Sequence, residues 1–262
     1  MKKNKHRRVI MRSFTKDLLK VKVYETRKDM GSAAALDIKS GITEALKSKE
    51  HINIIFAAAP SQNDVLSALV ADTEIPWERI NAFHMDEYIG LSPKAPQGFG
   101  NFLRNRLFDL VPFATVNCID PSATDAKAEC NRYAKLLAEH PVDIVVMGIG
   151  ENGHIAFNDP PVADFNDKDI IKVVRLDEIC RNQQVNDGCF KKIEDVPTHA
   201  FTLTVPTLMS GKRLYCIVPA KTKANAVKDT LNNEIGEACP ATVLRRHNNA
   251  VLYLDGDSSA HL

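Results

Sequence analysis

The chain has 262 residues, of which 44% are hydrophobic and 26% are charged. These values are close to those of an average globular protein, so the chain can bury a sizeable core. The formal net charge of +1 gives no global field that would favour nucleic acid or an anionic membrane as a partner. The longest apolar runs have the length of strands, which argues against a membrane span.

The N-terminal residues 1–30 are predicted to be a basic, polar lead-in. The opening MKKNKHRRVIMRSF is basic like the start of a signal peptide, but no apolar core or small-residue cleavage site follows it. The six cysteines form no CxxC pair, which predicts reduced thiols and a cytoplasmic protein rather than a disulfide framework or zinc site. They are Cys118, Cys130, Cys180, Cys189, Cys216 and Cys239.

The first half of the chain alternates helical periodicity with short apolar runs. Apolar residues recur at three- and four-residue spacing over 31–49, which predicts a helix. A buried strand is predicted over 52–59, and Pro60 and the polar residues after it end that strand before a helix over 65–70. The next predicted elements are a strand over 80–85 and helices over 99–110 and 125–139.

The second half continues the same alternation. Strands are predicted over 142–147, 170–176, 200–205, 214–218 and 251–254, and helices over 177–188, 222–231 and 242–246. No internal repeat or linker interrupts the pattern, so we predict a single α/β domain over residues 1–262. Its expected fold is a doubly wound, mostly parallel sheet with helices on both faces, as in Rossmann-like proteins.

The stretch VDIVVMGIGENGHIAFNDP, over 142–160, combines a buried strand with a dense polar loop. Glycines at 148, 150 and 153 let the backbone bend or approach a ligand closely. Ligands of open α/β sheets bind beyond the carboxyl ends of the strands, where this loop is expected to lie. His154 is suited to general acid or base chemistry, with Asp159 placed to hold its ring. The alternative is a histidine that only braces the loop; we favour the functional interpretation.

A second acidic cluster ends the strand over 80–85, in the sequence HMDEY. Asp86 is suited to remove a proton next to a carbonyl, although an aspartate that caps a turn would look the same. His84, Asp86 and Glu87 also raise the question of a metal site. No further cluster with ligand spacing supports one, so we predict no metal.

Two features indicate an anion site. Ser61, at a predicted helix start, could bind a phosphate through free backbone N–H groups, although the same pattern is an ordinary helix cap. Lys221 and Lys223 precede the helix over 222–231 and could add positive charge, or could simply be solvated. The polar run from Arg181 to Gln184 either faces a ligand or lies on an exposed helix face.

At this point two segments stand out as a pair. MDEYIGL, over 85–91, and GIGENGHIAFNDP, over 148–160, resemble the signature segments of the glucosamine-6-phosphate deaminase (isomerase) family, and the order of elements fits from about residue 38 to 254. The related sugar-phosphate lactonases share the glycine–histidine loop, but typically lack the HIAFN continuation and the DEY segment. The resemblance therefore implies a sheet of the sugar-phosphate isomerase type.

The resemblance also implies a reaction, and roles for residues within it. An aldose–ketose isomerisation is coupled to loss of the C2 amino group as ammonia, with no metal or organic cofactor. His154 would open the sugar ring, Asp86 would move the C2 proton to C1, and Asp159 with Asn152 would support His154. The implied substrate-binding residues are Ser61, Glu87, Gly150, Gly153 and Lys223.

The chain departs from the family pattern at several positions. Asn152 and Asp159 stand where the family usually has Asp and Glu, and the first strand–helix loop reads AAAPSQN instead of a glycine-rich phosphate loop. The arginine that the family presents to phosphate has no counterpart near Gly188, whereas the later phosphate lysine survives as Lys223.

From these observations we predict an isomerase/deaminase that acts on an amino sugar phosphate, either glucosamine 6-phosphate or a close analogue. The alternatives are a sugar-phosphate lactonase, such as a 6-phosphogluconolactonase, and a sugar-phosphate sensor without catalysis. Asp86 separates the first two, because lactone hydrolysis needs no C–H abstraction. The expected partner is a phosphorylated sugar, with neither nucleic acid nor membrane; assembly into a homo-oligomer is left open.

Overall fold

The computed structural model describes residues 10–262. Its strands are β1 (Ile10–Lys16), β2 (Leu19–Tyr24), β3 (Ile52–Phe56), β4 (Ile80–His84), β5 (Asp86–Tyr88), β6 (Thr115–Asn117), β7 (Ile144–Met147), β8 (Ile171–Arg175), β9 (His199–Leu203), β10 (Arg213–Val218) and β11 (Ala250–Leu254). Its α-helices are α1 (Arg27–Ala45), α2 (Asn63–Val70), α3 (Phe99–Leu103), α4 (Ala126–Glu139), α5 (Glu178–Asn186), α6 (Val205–Met209) and α7 (Ala224–Asn232).

The main sheet has eight strands in the spatial order β1-β2-β11-β10-β7-β3-β4-β6. All neighbours pair in parallel except β1 and β2, which form an antiparallel hairpin at one edge. From β3 the chain adds β4 and β6 on one side, and then returns to add β7 on the other side. The strand order therefore reverses between β3 and β7, which is where ligands bind in sheets of this kind.

Each central strand sends alternate side chains to two separate apolar layers. In β3, Ile54 joins one layer and Ile55 the other; in β7 the same holds for Val146 and Val145. Helices α1 and α2 cover the first face, whereas α4 and α7 cover the second. The predicted doubly wound α/β fold is therefore confirmed, and both faces are buried, as the continuous apolar runs of the parallel strands require.

A second, smaller sheet stands apart from the main one. Strands β5, β9 and β8 pair antiparallel in that spatial order. The strands predicted over 170–176 and 200–205 thus exist, but the expectation that they join the parallel sheet is wrong. Apolar patterning identifies a buried strand without identifying its partner, because partner choice depends on long-range packing.

The predicted lead-in is partly wrong as well. Residues 1–9 lie outside the described residues, but Ile10–Lys16 and Leu19–Tyr24 are strands, and α1 begins at Arg27. β2 is buried on alternate positions against β11, although its lysines make the sequence look solvated. Other local differences are the π-helical turn Arg104–Phe108 that continues α3, and the 3₁₀ turn Pro240–Arg246 in place of an α-helix.

Across residues 10–262, no helix combines the length and apolar character that crossing a membrane would require.

Candidate active site

A cavity of about 340 Å³ opens at the point where the strand order reverses. The loops after β3 and β7 form two of its walls, and the ends of β4 and β10 add others. The residues that line it come from these loops, from the first turn of α1, and from α3 and α5. They include Arg27, Ala57–Gln62, Asp86, Gly148–Gly150, His154, Gln183, Gln184, Asp187–Cys189 and Lys223.

The loop after β7 is shaped to present His154 to this cavity. The Gly150 N–H donates to the His154 carbonyl over 2.9 Å, and a Cβ at Gly150 would lie 2.2 Å from ring atoms of His154. Gly153 has a φ of +82°, a conformation that favours glycine. The loop therefore needs both glycines, the first because the imidazole lies against its backbone and the second because of its left-handed turn.

The Asp159 carboxylate lies among three side chains, those of His154, Asn152 and Cys180. Its Oδ1 lies 2.8 Å from His154 Nδ1 and accepts from Asn152 Nδ2 over 2.9 Å, and the Cys180 Sγ lies within 4.8 Å of both groups. Burial acts to raise the pKa of Asp159, but the charge of His154 and these polar neighbours together hold the pKa below its ordinary value. The carboxylate is thus kept ionised and fixes the orientation of the ring.

Asn152 supports this arrangement without facing the cavity. Its Oδ1 accepts from the His154 backbone N–H over 3.1 Å while its amide donates to Asp159. The sequence predicted that an asparagine here could still hydrogen-bond although it supplies no charge, and the geometry shows which bonds it makes. Gly153 likewise lies in the loop rather than in the cavity wall.

Asp86 lies at the junction of the two sheets. The chain leaves β4 at His84 and enters β5 at Asp86, with Leu203 N–H donating to the Met85 carbonyl over 2.8 Å. The Asp86 side chain is buried and lines the cavity. Burial, and then the nearby Glu87 carboxylate, raise the pKa of Asp86 well above its ordinary value. A cationic ligand group beside it would offset both effects.

The substrate-binding role predicted for Glu87 is not supported by the geometry. Its carboxylate accepts the backbone N–H groups of Tyr88, Phe99 and Gly100 over 2.9, 3.0 and 2.8 Å, and it is absent from the cavity wall. Burial raises the pKa of Glu87 to about 7, even though these three bonds act to lower it. Glu87 therefore anchors the start of α3 to β5.

His84 does not contribute to a metal site with Asp86 and Glu87. Its Nε2 accepts the Ile119 backbone N–H over 2.8 Å, and burial lowers its pKa to about 3, so the ring is neutral and structural. Within residues 10–262, the group with metal-ligand spacing is His154, Asp159 and Cys180, whose donor atoms lie within 4.8 Å of one another. The hydrogen bonds around Asp159 already use these groups, and the absence of a metal stays a prediction.

Lys223 and Ser61 occupy another part of the cavity. Lys223 is 5% exposed, and within the described part of the chain its ammonium has no salt bridge. Burial lowers its pKa, while the charges of Asp187 and Glu151 act to raise it. Lys221 is exposed and absent from the wall. Ser61 lines the cavity, and its hydroxyl accepts from Gln62 Nε2 over 3.1 Å.

Several residues of the wall were not predicted, or were predicted only as one of two alternatives. Gln62 is fully buried and donates to the Ile217 carbonyl of β10 over 3.2 Å, which ties the loop after β3 to the other side of the crevice. Gln183 accepts the Glu151 N–H over 2.8 Å and thereby ties α5 to the histidine loop. Of the run Arg181–Gln184, the two glutamines face the cavity, whereas Arg181 donates to the carbonyls of 193 and 196. Arg27, which lies in the predicted lead-in, is also a residue of the cavity wall that was not predicted.

The family model and the similar sequences that match this chain indicate the same family. Residues 25–253 match the family model described as glucosamine-6-phosphate isomerases/6-phosphogluconolactonase. A glucosamine-6-phosphate deaminase from Listeria monocytogenes serovar 1/2a is 34% identical over 88% of this chain and 95% of its own. One from Bacillus cereus is 36% identical over 83% of this chain and 80% of its own.

Solved structures extend the comparison to the fold. A monomeric glucosamine-6-phosphate deaminase superimposes with a TM-score of 0.84 and 27% identity, over 92% of this chain and 99% of that chain. A 6-phosphogluconolactonase from Thermotoga maritima has a TM-score of 0.74 and 18% identity, over 90% and 99% of the two chains. At that identity the second similarity concerns the fold alone.

Proposed function

The chain belongs to the family of glucosamine-6-phosphate isomerases and 6-phosphogluconolactonases, and we propose that it is an isomerase/deaminase that converts glucosamine 6-phosphate, or a close analogue, to fructose 6-phosphate and ammonia. The observation that carries the proposal is that Asp86 and His154 line one cavity at the reversal of the strand order. The reaction needs a carboxylate at the sugar carbons and an imidazole at the ring oxygen.

His154 begins the reaction. Its Nδ1 faces the Asp159 carboxylate, so Nε2 is the nitrogen free to exchange a proton with the substrate. The ring opens when the hydroxyl at C1 loses its proton and the ring oxygen gains one, which leaves an aldehyde at C1. The fixed Asp159 carboxylate stabilises the imidazolium that forms transiently during this transfer.

Asp86 performs the isomerisation. Its carboxylate removes the proton from C2 and returns it at C1. The C2 ammonium gives up one proton and the aldehyde oxygen gains one, so that C1 becomes an alcohol carbon and C2 a protonated imine carbon. Water adds to that carbon and ammonia leaves, which gives the ketose. The substrate ammonium at C2 lies beside Asp86 in this scheme, and its positive charge offsets the burial that raises the pKa of the free carboxyl. Substrate binding thus lowers the pKa of Asp86 and favours the ionised carboxylate that acts as the base.

The lactonase alternative leaves Asp86 without a role. Hydrolysis of a lactone needs an activated water and a general base, and no C–H bond is broken. Yet the fold buries a carboxyl in the cavity at a cost, because burial disfavours its charged form. The deaminase reaction is the one that uses this group.

The test is ammonia release from glucosamine 6-phosphate, compared with release from other hexosamine phosphates and from free amino sugars. We expect ammonia from the wild type, and a loss of at least about 10²-fold in kcat for Asp86→Asn and for His154→Gln, since each removes a proton-transfer group. Asp164→Asn, an exposed carboxylate further along the same loop, is the matched control. Ammonia release that survives Asp86→Asn would contradict the assignment, and tight ligand binding without any turnover would favour a sensor.

A further inference from the structure

The cavity carries a positive charge that the family pattern does not account for. The arginine expected near Gly188 is missing: Gly188 itself is exposed, and a Cβ built on it would meet nothing within 4 Å. Instead, the cationic residues of the wall are Lys223, from the turn before α7, and Arg27, from the first turn of α1. Arg27 therefore supplies a guanidinium to the cavity from α1.

Arg27 is held in place by the loop after β3 and by the first turn of α2. Its Nε donates to Asp64 Oδ2, and its Nη2 donates to the Pro60 carbonyl. A guanidinium has five N–H bonds in a planar fork, so three remain for a ligand. The two contacts fix the plane of the fork against the segment 60–64, which occupies the place of the phosphate loop in related proteins.

The close packing of α1 against α2 brings Arg27 within hydrogen-bond distance of Asp64 and of the Pro60 carbonyl. A Cβ at Gly31 would lie 2.6 Å from Asp64 Cβ and 2.9 Å from its backbone carbon, so only glycine permits the two helices to approach this closely. Gly31 lies one helical turn after Arg27, and Asp64 is the residue that pairs with it. The close approach therefore brings the arginine and its anchor together at the mouth of the cavity.

The charges of the wall show which ligand this arrangement fits. Lys223 is buried and lacks a salt bridge within the described residues, whereas Arg27 is paired on one edge only. The acidic residues of the wall are Asp86, at the sugar-carbon end in the proposed reaction, and Asp187. A phosphate group has enough acceptor oxygens to bind a guanidinium fork and an ammonium together, through charge-assisted hydrogen bonds.

We propose that Arg27 supplies the guanidinium that binds the phosphate of the substrate, together with Lys223, in place of the arginine that is missing near Gly188. Arg27 is then a residue that determines specificity for phosphorylated sugars. The inference rests on the proposed function only in taking the ligand to carry a phosphate group. It does not depend on the chemistry at C1 and C2.

The experiment measures binding of inorganic phosphate by calorimetry, and KM for glucosamine 6-phosphate in parallel. Arg27→Gln is expected to weaken phosphate binding and raise KM about 10- to 100-fold, the range for losing charge-assisted hydrogen bonds, while kcat changes less than threefold. Arg27→Lys keeps the charge but loses the fork, so its values should fall between those of the wild type and Arg27→Gln. Lys223→Ala should weaken phosphate binding similarly.

Two controls separate this role from a structural one. Lys28→Gln makes the same charge change at the next, exposed residue of α1, and should leave phosphate binding within twofold of the wild type. Asp64→Asn keeps the guanidinium but weakens its anchor, so phosphate binding should weaken less than in Arg27→Gln. Thermal unfolding of each variant establishes that it is folded; if Arg27→Gln is not, Arg27→Lys decides.

The outcomes distinguish this inference from the proposed function. Phosphate binding by folded Arg27→Gln within twofold of the wild type overturns the inference. So does a wild type that binds no phosphate at about 10 mM, a concentration that would nearly saturate a site with a Kd of roughly 1 mM. If Arg27→Gln loses phosphate binding while the wild type releases no ammonia, the phosphate site stands and the proposed reaction fails. If Arg27→Gln releases ammonia with an unchanged KM, the proposed reaction stands and the assignment of Arg27 to the phosphate site fails.

Discussion

At the scale of single residues, the site is organised by Asp159 rather than by His154. One carboxylate lies 2.8 Å from the imidazole, accepts from the Asn152 amide and has the Cys180 thiol beside it. This explains why an asparagine suits position 152: a second carboxylate there would repel Asp159, whereas the amide donates to it. The departure from the family pattern at this position therefore keeps the histidine oriented by hydrogen bonds instead of by added charge.

Replacing Asp159 by asparagine tests this organisation. Asp159→Asn removes the charge that stabilises the imidazolium and presents an amide that can hold the wrong tautomer of His154, so kcat should fall by about 10²- to 10⁴-fold, as for carboxylates behind a catalytic histidine elsewhere. KM for glucosamine 6-phosphate should change by less than about threefold, since Asp159 does not line the cavity. Steady-state kinetics of ammonia release give both values.

The control for Asp159→Asn is Asp164→Asn, five residues further on and exposed, which should retain wild-type kcat. A change confined to KM would contradict the orientation role and would place Asp159 in substrate binding. Thermal unfolding should accompany the kinetics, because the variant also alters a buried hydrogen-bond network.

At the scale of elements, the parts that the sequence predicts well are those with local signals. The buried strands β3, β4, β7 and β10 follow from continuous apolar runs, and α4 follows from its spacing and its Asp125 cap. The loop after β7 is recognisable because glycines and polar residues are concentrated there. The positions of His154 and Asp86 in the cavity wall, and of Asp159 beside the imidazole, could therefore be predicted from the sequence.

The residues that were missed depend on contacts between distant segments. Arg27 lies 33 residues from Pro60 in a stretch whose lysines suggest a solvated tail, and Cys180 meets Asp159 only because α5 folds back over the loop. A local sequence signal near Arg27 did exist. Thr26 caps α1 by accepting the Asp29 N–H, and a threonine before a helical pattern marks a helix start. It predicts the helix, but not the cavity that the helix reaches.

The contact between α1 and α2 yields a prediction for Gly31→Ala. Alanine normally favours a helix over glycine by about 1 kcal/mol, but here its Cβ would overlap Asp64. Overpacking of this kind costs about 1–3 kcal/mol, so the variant should unfold at a lower temperature despite its better helix propensity. Displacement of Asp64 should also shift Arg27 and raise KM for glucosamine 6-phosphate.

Ser40→Ala, on an exposed position of the same helix, is the matched control for helix propensity and should be neutral or slightly stabilising. Circular dichroism melts compare the two variants. If Gly31→Ala is as stable as Ser40→Ala and keeps the wild-type KM, the close approach of α1 and α2 is not what positions Arg27.

At the scale of the whole molecule, the reversal of strand order explains how distant motifs form one site. Asp86, His154 and Lys223 follow β4, β7 and β10, and parallel strands end at the same edge of the sheet. The small antiparallel sheet then closes one side, since β5 begins at Asp86 and β9 pairs with it through Thr202. The site is thus placed where two sheets meet, and carboxyl groups there are buried.

The burial of Asp86 should make the stability of the whole protein depend on pH. The pKa of Asp86 is raised by burial and by Glu87, so the folded state holds this proton more tightly than the unfolded state, in which an aspartate has a pKa of about 3.9. The folded protein then loses stability as pH rises from about 4 through the raised pKa of Asp86. Asparagine has no proton to lose, so Asp86→Asn should be more stable than the wild type at pH 8, and this advantage should vanish towards pH 4.

Differential scanning calorimetry of both proteins from pH 4.5 to 8.5 tests this expectation. A gain of at least about 2 °C in the unfolding temperature at pH 8 would correspond to roughly 1 kcal/mol for a chain of this size. Glu87, whose pKa is about 7, titrates in both proteins, so their difference reports the ionisation of Asp86 together with its coupling to Glu87. Asp164→Asn controls for the loss of an exposed carboxylate. A gain that is equal at every pH would mean that packing and not ionisation is responsible. A gain that grows with pH, in a variant that releases no ammonia, would show that the fold gives up stability to keep a base in its cavity.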